Sequence, residues 1–438
     1  MKYGFLLALL VASSAVAASE TAAPDLPSRD VVAKWLEADP AAREADFGRS
    51  AADHEAGMLR ASPNEWTVKA TGQRRHYETG GTSREWDAGI ERTVRLPGKR
   101  ALDTRLGEGT IAIAEARYIA SARQALRELV DLWMNWCAAA EERRLADRQA
   151  EITGANRAAV DKRVKAGDAS KLDLNLAEAD VADVQRMGSE ARTKEGQARA
   201  RLIARFPDVP TEAPPLSVPI AIEQSAASLK ARLLEQSPAL RIADAEQAYA
   251  ETAVSRERAD RLPDPTLGVF SASEAYGNER IVGFSISVPL PGSYRTQKLA
   301  RALSIRDQNE AAVSRERQRV EAESAADIVE MQGSLESWQL AQTAARRADE
   351  NVRLTQRAYT LGEADLQTLL LARRQSLEAT RTAVEAQAAA VGSRYRVLIA
   401  SGDLWASVMG SGQAPSQPSE IADNDVGRLT TPSREARN

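Results

Sequence analysis

The sequence predicts a mainly α chain: long antiparallel α-hairpins, with one β-hairpin carried by each half. Three observations predict it. Aromatic residues make up only 5% of the 438 and charged residues 27%, and the surplus of Ala, Glu, Arg, Gln and Leu is that of long helices. The chain also repeats its own pattern. Finally, short windows within each repeat switch from helical spacing to period-two alternation.

Composition excludes several classes. A formal net charge of −4 gives no electrostatic reason to expect nucleic acid as a partner. Mean hydropathy is −0.40, and no internal run of about 18 apolar residues exists, which excludes a polytopic helical membrane protein. One cysteine, Cys137, excludes a disulfide framework and a thiolate metal site. Two histidines, His54 and His76, make no metal centre. No nucleophile–base set or phosphate-cradling loop emerges, so neither catalytic residues nor a cofactor is expected.

The first residues read as an export signal. Met1-Lys2-Tyr3 is a short positive region, Gly4 to Ala12 an apolar run too short to span a bilayer, and Ala15-Val16-Ala17 a cleavage site. Residues 1–17 are therefore expected to be removed. No cysteine follows the site, so the exported chain is expected to carry no lipid.

The repeat has three anchors. Residues 88–98, AGIERTVRLPG, align with 282–292, VGFSISVPLPG, at an offset of 194. Gly167, Ala169, Leu174, Leu176 and Ala177 align with Gly362, Ala364, Leu369, Leu371 and Ala372 at 195. Leu202-Ile203-Ala204 aligns with Leu398-Ile399-Ala400 at 196. Such self-similarity marks a duplicated unit. The expected repeats are 28–206 and 222–406, joined by a Pro-rich crossover at 207–221. Residues 411–438, rich in Ser, Pro and charge, read as a disordered tail.

Each repeat opens with a helical stretch interrupted by a proline, Pro40 or Pro238, which breaks or kinks it. The stretch ends at Pro63 or Pro263. A β-hairpin follows, spanning 66–97 in one half and 266–290 in the other. In the first, Trp66, Val68 and Ala70 alternate with polar residues. After a turn at 78–81, Trp86, Ala88, Ile90, Val94 and Leu96 share one parity. In the second, Val282, Phe284, Ile286, Val288 and Leu290 form an apolar stripe opposite Gly283, Ser285 and Ser287. Runs of about ten alternating residues fit tilted membrane-spanning strands. Thr266 to Ala275 alternates less cleanly, so a bulge is expected there. Arg92 interrupts the first stripe and is placed below the hydrocarbon layer. Trp66 and Trp86 fit an interfacial aromatic belt.

Each repeat then turns helical. No proline occurs from Lys99 to Lys162, and Ile111, Tyr118, Ala122, Leu126, Leu129, Trp133, Trp136 and Ala140 recur in steps of three, four or seven. That is coiled-coil-like packing along a rod of about 95 Å. The counterpart runs from Arg295 to Thr360. Gly167 and Gly362 end the rods, because glycine takes the left-handed conformation at a helix C-terminus. Ser170 to Asp173 then fits a capping box for the returning helix. Trp133, Trp136, Trp338 and Cys137 read as core.

Four strands cannot close alone. A sheet edge exposed to lipid has no water to satisfy its backbone, and barrels close at about eight strands or more. Two chains would give a barrel filled by side chains; three give twelve strands and room for a lumen. The expected assembly is a homotrimer with a twelve-stranded transmembrane β-barrel continued by an α-barrel tunnel.

The export signal, the duplicated helix–hairpin–helix–helix halves and the glycine-marked tips together resemble the TolC-type outer-membrane efflux family. Its most specific traces are Arg261-Leu262-Pro263-Asp264-Pro265-Thr266-Leu267-Gly268, Gly283 to Gly292, Tyr359-Thr360-Leu361-Gly362 and Lys165-Ala166-Gly167. The resemblance implies an outer-membrane channel with a large periplasmic extension, an adaptor protein and an inner-membrane pump of the resistance–nodulation–division type. It implies that Gly167, Ser170, Asp173, Tyr359, Gly362 and Asp365 lie at the gate and adaptor contact. It implies that Trp66, Trp86, Ile90, Val94, Val282, Phe284, Ile286 and Val288 face lipid. Thr368 and Ala364 depart from the family's second-tip ion pairs, so Asp365 or Glu363 with Arg373 is the expected substitute. The overall look is closest to the heavy-metal or cation branch, implying export of metal cations or small toxic compounds. A type I protein-secretion duct is the alternative, and a soluble coiled-coil scaffold is a third reading.

Overall fold

A computed structural model of the chain describes residues 25–410. The expected export signal and the C-terminal tail lie outside the described residues. The first repeat contains α1 (Arg29–Ala38), α2 (Pro40–Ala61), β1 (Thr67–His76), β2 (Thr82–Thr93), α3 (Pro97–Ala166) and α4 (Lys171–Arg205). The second contains α5 (Ala226–Glu235), α6 (Pro238–Ala259), β3 (Thr266–Glu274), β4 (Glu279–Ser287), α7 (Ser293–Leu361) and α8 (Leu366–Ala400), followed by the short α9 (Ala406–Gly410). The expected fold class is the observed one: long helical hairpins with a pair of β-hairpins.

The two halves match almost residue for residue. Helices α3 and α7 have 70 and 69 residues, and α4 and α8 have 35 each. At ~1.5 Å per residue the long rods reach about 105 Å. Pro40 and Pro238 each occupy the first position of a new helix. Proline cannot donate there, but the first-turn N–H has no helical partner anyway. Asp39 caps α2 by accepting from Ala41 and Ala42 N–H at 3.0 and 3.1 Å. Ser237 does the same for α6.

The core sits halfway along the rods, not at their ends. Trp35, Leu126, Leu129, Trp133, Trp136, Phe206, Tyr395, Ile399 and Trp405 bury together there. Trp133 and Trp136 meet edge to face at 5.3 Å, and Trp35 lies 5.7 Å from Phe206. Asp25 anchors this belt. Its carboxylate accepts from Tyr395 Oη at 2.6 Å and Ser217 Oγ at 2.7 Å, while Trp133 Nε1 donates to its carbonyl at 2.6 Å. The crossover contributes Val209 and Ala213 to the same cluster. Cys137 is fully buried, and burial pushes its thiol pKa up to about 12. Trp338 is buried as well.

The four strands form one antiparallel sheet in the order β1-β2-β3-β4. One expectation is overturned here. Strand β3 has no bulge: it pairs without interruption from Thr266 to Ser273 with β2 and from Thr266 to Glu274 with β4. Its imperfect alternation has another cause, Phe270 on the polar face. Its ring lies over Gly283, where an added Cβ would come within 2.6 Å of Cζ. On the other side, a Cβ on Gly89 would meet Phe270 Cβ at 3.0 Å. Two glycines make room for one aromatic, which explains why Gly89 and Gly283 occupy equivalent places in the repeats.

A buried ionic cluster joins sheet to rods. Lys99 Nζ lies 3.0 Å from both Asp260 and Asp264 and donates to Leu262 O at 2.6 Å. Asp103 takes Arg95 on one oxygen and Arg256 on the other, each at 2.5 Å. Burial alone would raise the Asp260 pKa; bonds from Arg256 and Lys99 outweigh it and hold the carboxyl below the usual range. Asp264 also accepts from Leu96 N–H at 3.0 Å. This binds the end of one repeat's hairpin to the start of the other's.

Candidate functional site

Two regions carry the candidate residues: the sheet at one end and the helical tips at the other. Cross-strand partners share a face, so the register assigns every side chain of the sheet. One rung reads Val68, Ile90, Val269, Phe284; its neighbour on the same face reads Ala70, Ala88, Ser271, Val282. Leu267 and Ile286 extend that face. Val282 and Phe284 are 84% and 78% exposed, and Leu290 below them is 93% exposed. An apolar face this open, contiguous over four strands, is a contact surface and not a solvated one. Trp66 and Trp86 lie on it and are exposed, so they are not packed within the chain. Val94 and Val288, just past the strand ends, are exposed too.

The opposite face is polar. Thr67, Lys69, Thr71, Glu85, Asp87, Glu91, Ser285 and Ser287 line it. Lys69 pairs with Glu91 at 2.7 Å, and Arg75 bridges Glu85 and Glu274 at 3.2 and 3.3 Å. Arg92 ends the apolar stripe on the last rungs nearest the helices. Its Nε donates to Asn64 O at 2.9 Å and its guanidinium lies 5.4 Å from the Trp66 ring. No described helix is long and apolar enough to cross a membrane.

At the far end, α3 turns into α4 at Gly167 and α7 into α8 at Gly362. Both glycines are left-handed, with φ of 85° and 77°. A Cβ at either would meet nothing within 4 Å, so backbone conformation alone demands glycine there. Ser170 and Asp173 form a reciprocal capping box: Ser170 Oγ accepts from Asp173 N–H at 3.1 Å and Asp173 accepts from Ser170 N–H at 2.9 Å. Asp365 caps α8 by accepting from Thr368 N–H at 2.8 Å. Val160, Ala177, Leu366 and Leu369 bury together and hold the two tips of the chain in contact.

Tyr359 packs on that cluster and is also the polar link between tips. Arg163 donates to its hydroxyl at 2.8 Å, lies 5.2 Å from its ring centroid, and donates to Asp168 O at 3.3 Å. Arg163 was not singled out from sequence. Its place four residues before Gly167, on the turn facing Tyr359, was the available signal.

Within the chain Arg373 does not pair with Asp365. Asp365 is committed to its cap, and Arg373 donates to Gln356 Oε1 at 2.6 Å. Eight helical residues separate 365 from 373, about 12 Å of rise, so the two cannot meet. Arg373 faces Asp180 on α4 instead. Burial pushes the Arg373 pKa down, countered by the Asp180 charge, and pushes the Asp180 pKa up. Asp180 Oδ2 and Arg373 Nη1 are both buried without a hydrogen-bond partner.

Residues 31–205 match the family model described as "Outer membrane efflux protein". Among solved structures, a membrane protein from Pseudomonas aeruginosa superposes with a TM-score of 0.73 at 17% identity, over 85% of this chain and 89% of that one. The open state of the Neisseria gonorrhoeae MtrE outer membrane channel gives 0.71 at 19%, over 86% and 89%. The Campylobacter jejuni CmeC outer membrane channel gives 0.70 at 16%, over 85% of each. No curated protein matches in sequence. The first repeat thus matches the outer membrane efflux protein family model, and about 85% of the chain shares the fold of outer membrane channels.

Proposed function

We propose that three copies close into one twelve-stranded barrel in the outer membrane, and that their helices form a tunnel through the periplasm. The observation that carries this is the sheet itself. Its apolar face is open, while among the described residues β1 and β4 are both edges with no neighbouring strand. Lipid cannot satisfy an edge, so β4 of one copy must find β1 of the next. An apolar run on α7 points the same way: Val329, Leu340 and Leu354 are exposed at spacings of eleven and fourteen residues, which keep to one side of a helix.

In this reading the channel supplies a path and a gate, and the energy for transport comes from elsewhere. The tips, with Gly167, Ser170, Asp173, Tyr359, Gly362 and Asp365, meet a periplasmic adaptor beneath which a resistance–nodulation–division pump sits. The Arg163–Tyr359 bond ties the two hairpins of one chain together, so opening would shift them between two packed arrangements. Metal cations or small toxic compounds are the cargo implied by the resemblance.

Purified protein in detergent should have the mass of three chains, and it should conduct ions in a planar bilayer. A stable non-conducting monomer would overturn the reading. For the tips, replacing Gly167 and Gly362 together by bulky residues should impair export while leaving the trimer intact. Unchanged export would remove the tips from docking. Copurification with an ABC exporter instead of the expected pump would favour the secretion duct.

A further inference from the structure

The charges of the sheet are segregated by sign. All five strand carboxylates, Glu85, Asp87, Glu91, Glu274 and Glu279, lie on the polar face. The apolar face carries four formal charges, and all are arginine: Arg74, Arg84, Arg92 and Arg280. Arg92 has its partners at the lower end. The other three lie at the upper end, beside the hairpin turns.

Arg74 and Arg84 are direct cross-strand partners. Arg280 sits on the adjacent rung of the same face, across from Ser273, which is itself across from Trp86. All three are exposed. Among the described residues, no side chain bonds or pairs with any of them. Like charges directly opposite destabilise a sheet. Carboxylates exist at this height, but they point the other way, and two of them, Glu85 and Glu274, are taken by Arg75. A local conflict that the fold leaves uncompensated is the kind found at functional positions.

Position says what resolves it. Val282 and Trp86 lie just below Arg280 and Arg84, at the top of the apolar band, and Tyr77 stacks on Tyr276 above, with ring centroids 5.7 Å apart. From Ser287 to Arg280 strand β4 climbs about 24 Å along its length, which at a tilt near 40° gives about 18 Å of the ~25 Å band of such barrels. The arginines therefore reach the head-group layer on the side away from the helices. Guanidinium forks match phosphate oxygens in pairs, and a phosphate between Arg74 and Arg84 would remove their repulsion.

We propose that Arg74, Arg84 and Arg280 dock the phosphate groups of an outer-leaflet phosphorylated glycolipid, whose acyl chains cover the apolar band below. This rests on the barrel reading above. In that barrel the free edges bring Arg280 of one copy toward the Arg74–Arg84 pair of the next, so each site would straddle two chains and occur three times. Lipid is favoured over a free anion because the arginines are continuous with the apolar face.

The test uses the full-length trimer in detergent, with native mass spectrometry after exposure to bis-phosphorylated lipid A, to the same lipid with its phosphates removed, and to inorganic phosphate. Trimer mass and bilayer conductance are read in parallel. The wild type should retain lipid A and release the dephosphorylated form, with inorganic phosphate failing to displace it. The triple variant Arg74→Gln, Arg84→Gln, Arg280→Gln should lose at least tenfold in retention while staying trimeric and conducting. Arg84→Glu guards against misfolding, because it gives Arg74 an opposite charge across the strands and should keep the sheet intact while abolishing retention. Equal retention by either variant, equal retention of the dephosphorylated lipid, or displacement by inorganic phosphate would overturn the proposal. A wild type that is neither trimeric nor conducting would instead overturn the barrel reading on which it stands.

Discussion

Gly283→Ala tests the internal logic of the sheet most directly. A Cβ at Gly283 would lie 2.6 Å from Phe270 Cζ and 2.7 Å from Cε1, well inside contact distance. Overpacking a fitted site costs about 1–3 kcal/mol. The clashing atoms are the end of a ring that can swing outward from the polar face, so the lower figure applies, about 1 kcal/mol per chain. Three copies in one barrel bring this to about 3 kcal/mol, or about a hundredfold in the trimer–monomer equilibrium. The assay is the surviving trimer fraction across a urea series in detergent. Gly72→Ala is the control, since nothing lies within 4 Å of a Cβ there; it measures what any strand Gly→Ala change does. In a Phe270→Leu background the Gly283→Ala penalty should disappear. If Gly283→Ala matches Gly72→Ala, or if its cost persists without the ring, the account of how Phe270 is housed is wrong.

Three further outcomes are expected. Phe284→Arg puts a charge in the middle of the apolar face and should cost about 2–4 kcal/mol per chain, emptying the outer-membrane fraction, whereas Ser285→Arg on the other face should leave membrane-fraction levels unchanged. Lys99→Met takes the ammonium from half-buried Asp260 and Asp264, which should destabilise the chain by about 1.5–3 kcal/mol in urea denaturation. The Asp260 pKa is held low in the fold, so its contribution is complete above the unfolded value near ~3.9 and is lost as pH falls through the folded one; Lys99→Met should shift acid unfolding to higher pH. Cys137, whose thiol burial raises to about 12, should resist maleimide at pH 8 in the native protein and react at once in urea, as read by mass.

Much of this was legible in one sequence because the duplication prints each element twice. Gly167 with Gly362, and the two Leu-Pro-Gly segments, locate helix ends and strand ends through local backbone rules that hold wherever the chain goes. The alternation of Val282, Phe284, Ile286 and Val288 reveals a face for the same reason: period two is a property of the strand. Those signals sufficed for the rods, the hairpins and the inference that the sheet must be shared.

What depended on contact was not legible. The irregular β3 read as a bulge because sequence cannot see that Gly89 and Gly283, 194 residues from each other, flank Phe270. Arg373 was matched to the nearest acids along the chain, but the helix lifts it away from Asp365 and aims it at Asp180. Lys99 with Asp260 and Asp264, and Arg280 beside the Arg74–Arg84 pair, become groups only when distant segments come together. Backbone preference acts over a few residues and survives in the sequence; packing and charge act through space, and only the folded chain brings their partners together.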